Sequence, residues 1–180
     1  MFPTNYEPPA SSSEGGSYTK IKENEPAKLR ILSEAIVGYS YWTADNKCIR
    51  SELRFESTPN IREGDKQKHF WAFKVWNYTT NQVEIWEITQ ASIRDALWGY
   101  WKDEEYGDLR NYGLKVTRTG KALETKYQVI AMPPKPLSED VAIASANTPV
   151  NLLALFEGAN PFSTGEEAAQ KSESQYDDDF

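Results

Sequence analysis

Planar rings and cations are interleaved along the same stretches of this chain. Lys66-Gln67-Lys68-His69-Phe70-Trp71 is followed by Lys74, Trp76 and Tyr78, and Tyr39, Tyr41 and Trp42 stand close together upstream. Aromatic faces can stack on other planar groups, and ammonium or guanidinium groups can neutralise phosphate. Unpaired polynucleotide presents both targets together, flat bases along a charged backbone. Each base stacked on a ring contributes about 1–3 kcal/mol, so three or four rings suffice without any reading of sequence. Tyr39, Tyr41, Trp42, Lys66, Lys68, His69, Phe70, Trp71, Lys74 and Trp76 are therefore the candidate ligand-facing residues. Rings on strands also fill cores, and alternation alone does not fix which face is wet. In residues 69–78 it separates His69, Trp71, Phe73 and Val75 from Phe70, Ala72, Lys74, Trp76 and Tyr78, and the face carrying Lys74 is expected to meet water.

Charge is partitioned. The chain has 180 residues and a net charge of −7, with 13% aromatic residues. Residues 18–137 nonetheless hold 19 Lys+Arg against 16 Asp+Glu, while residues 138–180 hold nine acids and only Lys171. A mildly basic body thus precedes an acidic end, Tyr176-Asp177-Asp178-Asp179-Phe180. Asp177, Asp178, Asp179 and Phe180 suit two tasks: competing with phosphates for a basic groove, or placing a terminal ring in a partner's apolar pocket with the acids on its rim. The ends, including Ser11-Ser12-Ser13 and Ser163-Thr164-Gly165-Glu166-Glu167, are too polar to offset the entropy of ordering them. The organisation expected is a disordered stretch 1–17, a binding body 18–137 and a flexible region 138–180. Val150 to Phe156 in that last region is spaced as a short helix.

The elements that would hold the rings can be read from hydrophobic period. Alternation predicts strands at Ala27 to Leu32, Ile36 to Trp42, Gln67 to Tyr78, Val83 to Ile88, Tyr112 to Thr117 and Leu123 to Ala131. Residues 45–66 form a long excursion or an extra hairpin. Thr89 is placed to cap a helix whose apolar stripe is Ile93, Leu97 and Trp101, ending near Lys102. Strands, excursion, hairpin, helix and hairpin in that order fit a mainly β protein, an OB-fold barrel with one helix between strands and one elaborated hairpin. A more open antiparallel α+β sheet is the alternative.

Catalysis finds little support. Glu84 and Glu87 are three apart on a strand and point to opposite faces, His69 has no evident Ser or Cys partner, and no glycine-rich phosphate loop is present. One Cys (Cys48) and one His do not supply a structural zinc site, which takes four such ligands, and the run Asp103-Glu104-Glu105 with Asp108 reads as a solvated loop. No cofactor is expected. The N-terminus lacks the basic start and apolar stretch of a secretory signal and no run reaches membrane length, so a cytoplasmic location with no membrane contact is the expectation.

Four stretches, Lys28-Leu29-Arg30-Ile31-Leu32-Ser33, Lys66 to Ala72, Ile85-Trp86-Glu87 and Tyr112-Gly113-Leu114-Lys115-Val116, resemble the core of tailed-bacteriophage single-stranded DNA-binding proteins, notably the T-even helix-destabilising type. The resemblance spans residues 27–131 and implies an OB barrel, with Lys66, Lys68, Trp71 and nearby Arg30 lining a DNA cleft. Lys28 and Lys115 lie within the matching stretches and join the candidates. It also implies that the terminal Asp177-Asp178-Asp179-Phe180 recruits replication or recombination proteins. Two departures stand out: the zinc module of the T-even type is absent, and residues 1–17 carry no Lys or Arg to serve as its basic self-association segment. A carbohydrate-binding β module and a phage assembly or adaptor protein acting through VNLLALF and the tail are the alternatives. Sugars need no cations, and an adaptor needs no ring platform.

Overall fold

The computed structural model describes residues 18–162, so the expectations for residues 1–17, for Ser163 to Glu167 and for the Asp177–Phe180 tip lie outside the described residues. Seven strands form one antiparallel sheet: β1 (Ala27–Ile31), β2 (Ile36–Trp42), β3 (Cys48–Ser51), β4 (Lys68–Asn77), β5 (Gln82–Ile88), β6 (Gly113–Thr119) and β7 (Lys126–Ala131). Helix α1 (Ala91–Lys102) separates β5 from β6, and α2 (Glu139–Ala146) follows β7. Among the described residues no helix is long and apolar enough to cross a membrane.

Strand β4 organises the sheet. Its ten residues are rich in ring and branched side chains that favour a pleated surface. One edge pairs with β5 from Trp71↔Ile88 to Asn77↔Gln82, through a turn in which Asn81 takes the left-handed conformation (φ 53) that Asn tolerates. The other edge pairs first with β2 (Val37↔Trp71, Tyr39↔His69) and then with β1 (Leu29↔Asn77, Ile31↔Val75). The two registers differ by two residues, so β1 and β2 act as one strand bent at residues 32–35. That bend is stitched to β4, because Leu32 N–H donates to the Lys74 carbonyl and Lys74 N–H donates to Ser33 Oγ. The excursion after β2 contains an added hairpin, since β3 pairs along β2.

The inner sheet face holds the main core: Leu29, Ile31, Phe73, Val75, Trp86, Ile88, Leu114 and Val116 against Ile93 and Leu97 of α1. Buried apolar area at about 25 cal/mol per Å² is what holds helix to sheet. Gln90, not Thr89, stands at the N-cap of α1, and no side chain caps it. At 100° per residue, four-residue steps drift by about 40°, so α1 presents an arc and not a line. Tyr100 lies at one flank, Ile93 and Leu97 at the centre, Trp101 and Trp98 at the other flank.

The flank with Tyr100 explains why the sheet stays open. A closed barrel would need β5 and β7 to pair, and they do not. The Tyr100 hydroxyl instead donates to the Val129 carbonyl (3.3 Å) and accepts from Ala131 N–H (3.2 Å), taking two backbone groups on the outer edge of β7. The facing edge of β5 is used too, for Thr19 N–H donates to the Ile85 carbonyl, and Thr19 Oγ1 donates to the buried carboxylate of Glu84. Residues 18–23 bridge onward to β6 at Glu23↔Arg118. A mainly β architecture with one helix between strands is present; the closed barrel is not completed.

The outer face overturns the expected wet side of β4. Phe70, Ala72 and Ile85 pack under Leu152, Leu155 and Phe156 of the 3₁₀ turn Leu152–Glu157, forming a second core. Lys74, expected to face water, donates from Nζ to the Ser145 carbonyl at 2.8 Å, and burial pushes its ammonium below its ordinary value. Residues 139–157, read from sequence as part of a flexible region, are thus a strap packed across the sheet. Gly38 makes room for it: a Cβ there would stand 2.8 Å from Phe156 Cε1 and 2.4 Å from the Ser51 carbonyl oxygen. Beside it Arg50 of β3 reaches Glu87 of β5 in a two-pronged ion pair, NH2 to Oε2 at 2.6 Å and Nε to Oε1 at 3.2 Å. Burial alone would lower the Arg50 guanidinium; the Glu87 hydrogen bonds and charge reverse this and hold it up. Burial pushes the nearby Cys48 thiol up as well.

Candidate functional site

Where β2 and β4 extend past the end of α1, the inner face opens into a groove of about 490 Å³. Its floor is apolar, from Ile31, Phe73, Leu97 and Leu109. Its walls are Val37 and Trp71 on the sheet and Trp98 and Trp101 on the helix. Two elements therefore supply three indoles to one cavity. Sheet alternation points Trp71 inward beside Val37, its cross-strand partner, and the wheel of α1 turns Trp98 and Trp101 toward them. Trp71 and Trp98 have ring centroids 6.5 Å apart at 58°. Trp98 is 52% exposed, Trp101 48% and Val37 49%, values uncommon for side chains of this size and contiguous here.

The aromatic surface continues outward along the same face. Tyr39 and His69, paired across β2 and β4, place their rings 5.0 Å apart, one step beyond Val37 and Trp71. Cations stand at the rim. Lys102 Nζ lies 4.9 Å over the Trp98 ring, a cation–π contact, and Arg110 is also part of the lining. Arg110 is held by Asp108 through Nε to Oδ1 (3.0 Å) and NH2 to Oδ2 (2.7 Å), and that pairing keeps the Asp108 carboxyl below the usual carboxylate range. Glu34 is the other acid at the rim. Behind the groove Tyr100, Tyr106 and Tyr112 pack edge to face, and burial pushes the Tyr112 phenol up to about 12, so it stays neutral.

Of the residues singled out from sequence, the groove and its extension collect Trp71, Tyr39 and His69. Others go elsewhere. Phe70 is 0% exposed and lies under the strap, its ring 6.0 Å from Phe156. Tyr41 is 5% exposed, with its ring against Phe55 of the excursion and its hydroxyl donating to the Pro59 carbonyl. Arg30, read as lining a cleft, is 3% exposed and donates to the carbonyls of Arg110 and Lys135, pinning those segments to β1. Trp42 stands on the outer face with Arg62 5.9 Å over its ring, near Lys68, whose Nζ lies 3.9 Å from Asp65. Lys66 is exposed on the loop before β4, and its backbone N–H donates to that same Asp65 carboxylate. Trp76 is half-buried on the outer face across from Arg30, and Lys28 and Lys115 face each other across β1 and β6.

Trp98 and Trp101, which are not among the candidates read from sequence, line this groove. Its four-residue spacing from Leu97 reads Trp101 as part of the core stripe. The signal that separates it is the three-residue step from Trp98, which makes a second ring stripe offset from Ile93 and Leu97. Among the described residues no group of three or more His, Cys, Asp or Glu side chains is placed to hold a metal ion. The chain matches no protein-family model, no curated protein and no solved structure.

Proposed function

We propose that this protein binds single-stranded nucleic acid, single-stranded DNA foremost, without base preference, and that Trp71, Trp98 and Trp101 are its stacking surfaces. The observation that carries this reading is the gathering of three indoles around one apolar groove, with two left half exposed. An apolar floor offers bases a place to stack and no hydrogen-bond code to read, which suits sequence-independent binding. The strand plan supports it. A bent first strand (β1 and β2) pairs with β4 and β6, β4 pairs with β5, α1 stands between the third and fourth strands, and β7 lies on β6. This order is compatible with an OB fold left open at its closing seam, and OB folds bind oligonucleotides. In that fold the usual platform is the outer face of the second and third strands. Here the strap packs over that face, which supports a reading in which the ligand uses the groove side. A non-enzymatic role in coating strands during phage replication or recombination, in the host cytoplasm, with the acidic tip recruiting partners, is the fuller form of the proposal.

The test is a mobility-shift titration of the full chain with single- and double-stranded oligonucleotides at several salt concentrations. Preference for the single strand, with log affinity falling linearly in log salt, is expected. Equal binding of both forms, or a flat salt response, contradicts it. One observation favours a second reading. The groove rim balances Lys102 and Arg110 against Glu34 and Asp108, and such a neutral aromatic groove also fits a sugar ring. Glycan binding indifferent to salt would mark that outcome.

A further inference from the structure

The groove's rim is nearly neutral, yet a ligand with one charge per nucleotide needs cations somewhere. Strands β1, β6 and β7 supply them. They carry Lys28, Arg30, Lys115, Arg118 and Lys126 and no Asp or Glu. Strand β5, by contrast, carries Glu84 and Glu87. Alternation puts Lys28, Lys115 and Lys126 on the outer face, opposite to the core positions Leu29, Leu114, Val116 and Val129.

The arrangement is unfavourable for the protein alone. Lys28 and Lys115 are directly opposed in the antiparallel β1–β6 pair, and like charges so placed repel. Among the described residues no ion pair relieves either one. The same rung continues to exposed Ile130 on β7 and to Tyr78 at the end of β4, whose ring lies 4.8 Å under Lys28 Nζ. The adjacent rungs add Thr117 opposite Gln128 and Thr119 opposite the cation Lys126, and the two Thr hydroxyls and the Gln128 amide are neutral donors suited to phosphate oxygens. The strap covers the outer face of β4 and β5, and the segment leading into it meets β1 and β6 at their Arg30 and Gly113 end, where the Lys135 carbonyl accepts from Arg30 and Met132 lies beside Gly113.

From these observations we infer that the outer face of β1, β6 and β7 is a second nucleic-acid contact, a phosphodiester track formed by Lys28, Lys115 and Lys126 and separate from the aromatic groove. It rests on the single-strand reading and deepens it: the groove stacks bases, and the track neutralises the backbone of the strand where it leaves the groove.

The test compares the full chain with a Lys28→Gln/Lys115→Gln/Lys126→Gln variant. The readouts are tryptophan quenching and the salt dependence of affinity, for oligo-dT of about 4 and about 16 nucleotides, the range covered per OB fold. Each neutralised phosphate contributes about −0.7 to the slope of log affinity against log salt on a single strand, so the longer oligonucleotide should lose about two units of slope in the variant. Quenching at saturation and binding of the short one should be unchanged. The melting temperature should not fall, because the substitutions relieve repulsion. An unchanged slope on the long oligonucleotide overturns the track. Slope lost without any quenching in the native chain upholds the track and overturns the groove, and failure to bind any oligonucleotide overturns both. An unchanged slope on DNA, with loss of binding to phosphatidylserine vesicles, would replace the inference by an acidic lipid surface.

Discussion

Replacing Trp98 and Trp101 together by alanine should weaken oligo-dT binding by about thirty-fold at least, and by about twenty-thousand-fold if both rings stack fully. The range follows from about 1–3 kcal/mol per stacked base, with 1.4 kcal/mol equal to a factor of ten. Both indoles stand on one flank of α1 and are about half exposed, while Ile93 and Leu97 carry the helix into the core. The double variant should therefore keep its fold, and circular dichroism and melting should show it. Trp42 provides the contrast. It is also partly exposed, but on the outer face under Arg62, away from the groove. Trp42→Ala should leave affinity within about two-fold. Equal losses from Trp42→Ala and the helix pair, read by fluorescence anisotropy with labelled oligo-dT, would contradict the groove as the binding surface.

The largest stability effect is expected at the ion pair beside the strap. Arg50 and Glu87 meet through two hydrogen bonds, with both side chains mostly buried. Removing one partner leaves the other charge desolvated without compensation, a loss of about 3–5 kcal/mol. Glu87→Leu alone should thus consume much of a stability that for such domains is about 5–15 kcal/mol, and Arg50→Met alone should do the same. The double variant Arg50→Met/Glu87→Leu should recover most of the loss, since a packed apolar pair replaces a buried ionic one at little net change. Urea unfolding of the three variants decides this. Singles costing less than about 1 kcal/mol would show a pair screened by water.

Parts of this architecture are written locally and parts are not. The β4–β5 hairpin is legible in QKHFWAFKVWNY, the turn at Thr79 to Gln82 and VEIWEI, because ring-rich alternation and a turn suffice to define it. The wet face of β4 is not legible there. What covers Phe70 and Lys74 is a strap some seventy residues downstream, and nothing in a strand's own alternation says which side will receive it. Arg30 misleads for a related reason. A cation alternating with Leu29 and Ile31 reads as solvent-facing, yet its guanidinium finds the carbonyls of Arg110 and Lys135 and is buried with them. The open seam turns on one hydroxyl, that of Tyr100, occupying the edge of β7. Helical drift turned Trp101 out of the stripe that its spacing suggested, and with Trp98 it became the wall of the groove.

The central claim is that Trp71, Trp98 and Trp101 receive the bases, and the six indole N–H resonances of the chain report on it one ring at a time. In a proton–nitrogen correlation spectrum titrated with oligo-dT, the signals of Trp71, Trp98 and Trp101 should shift together and saturate at one concentration, while that of buried Trp86 stays in place. Stationary groove signals with movement at Trp42 or Trp76 would put the ligand on the outer face and contradict the account.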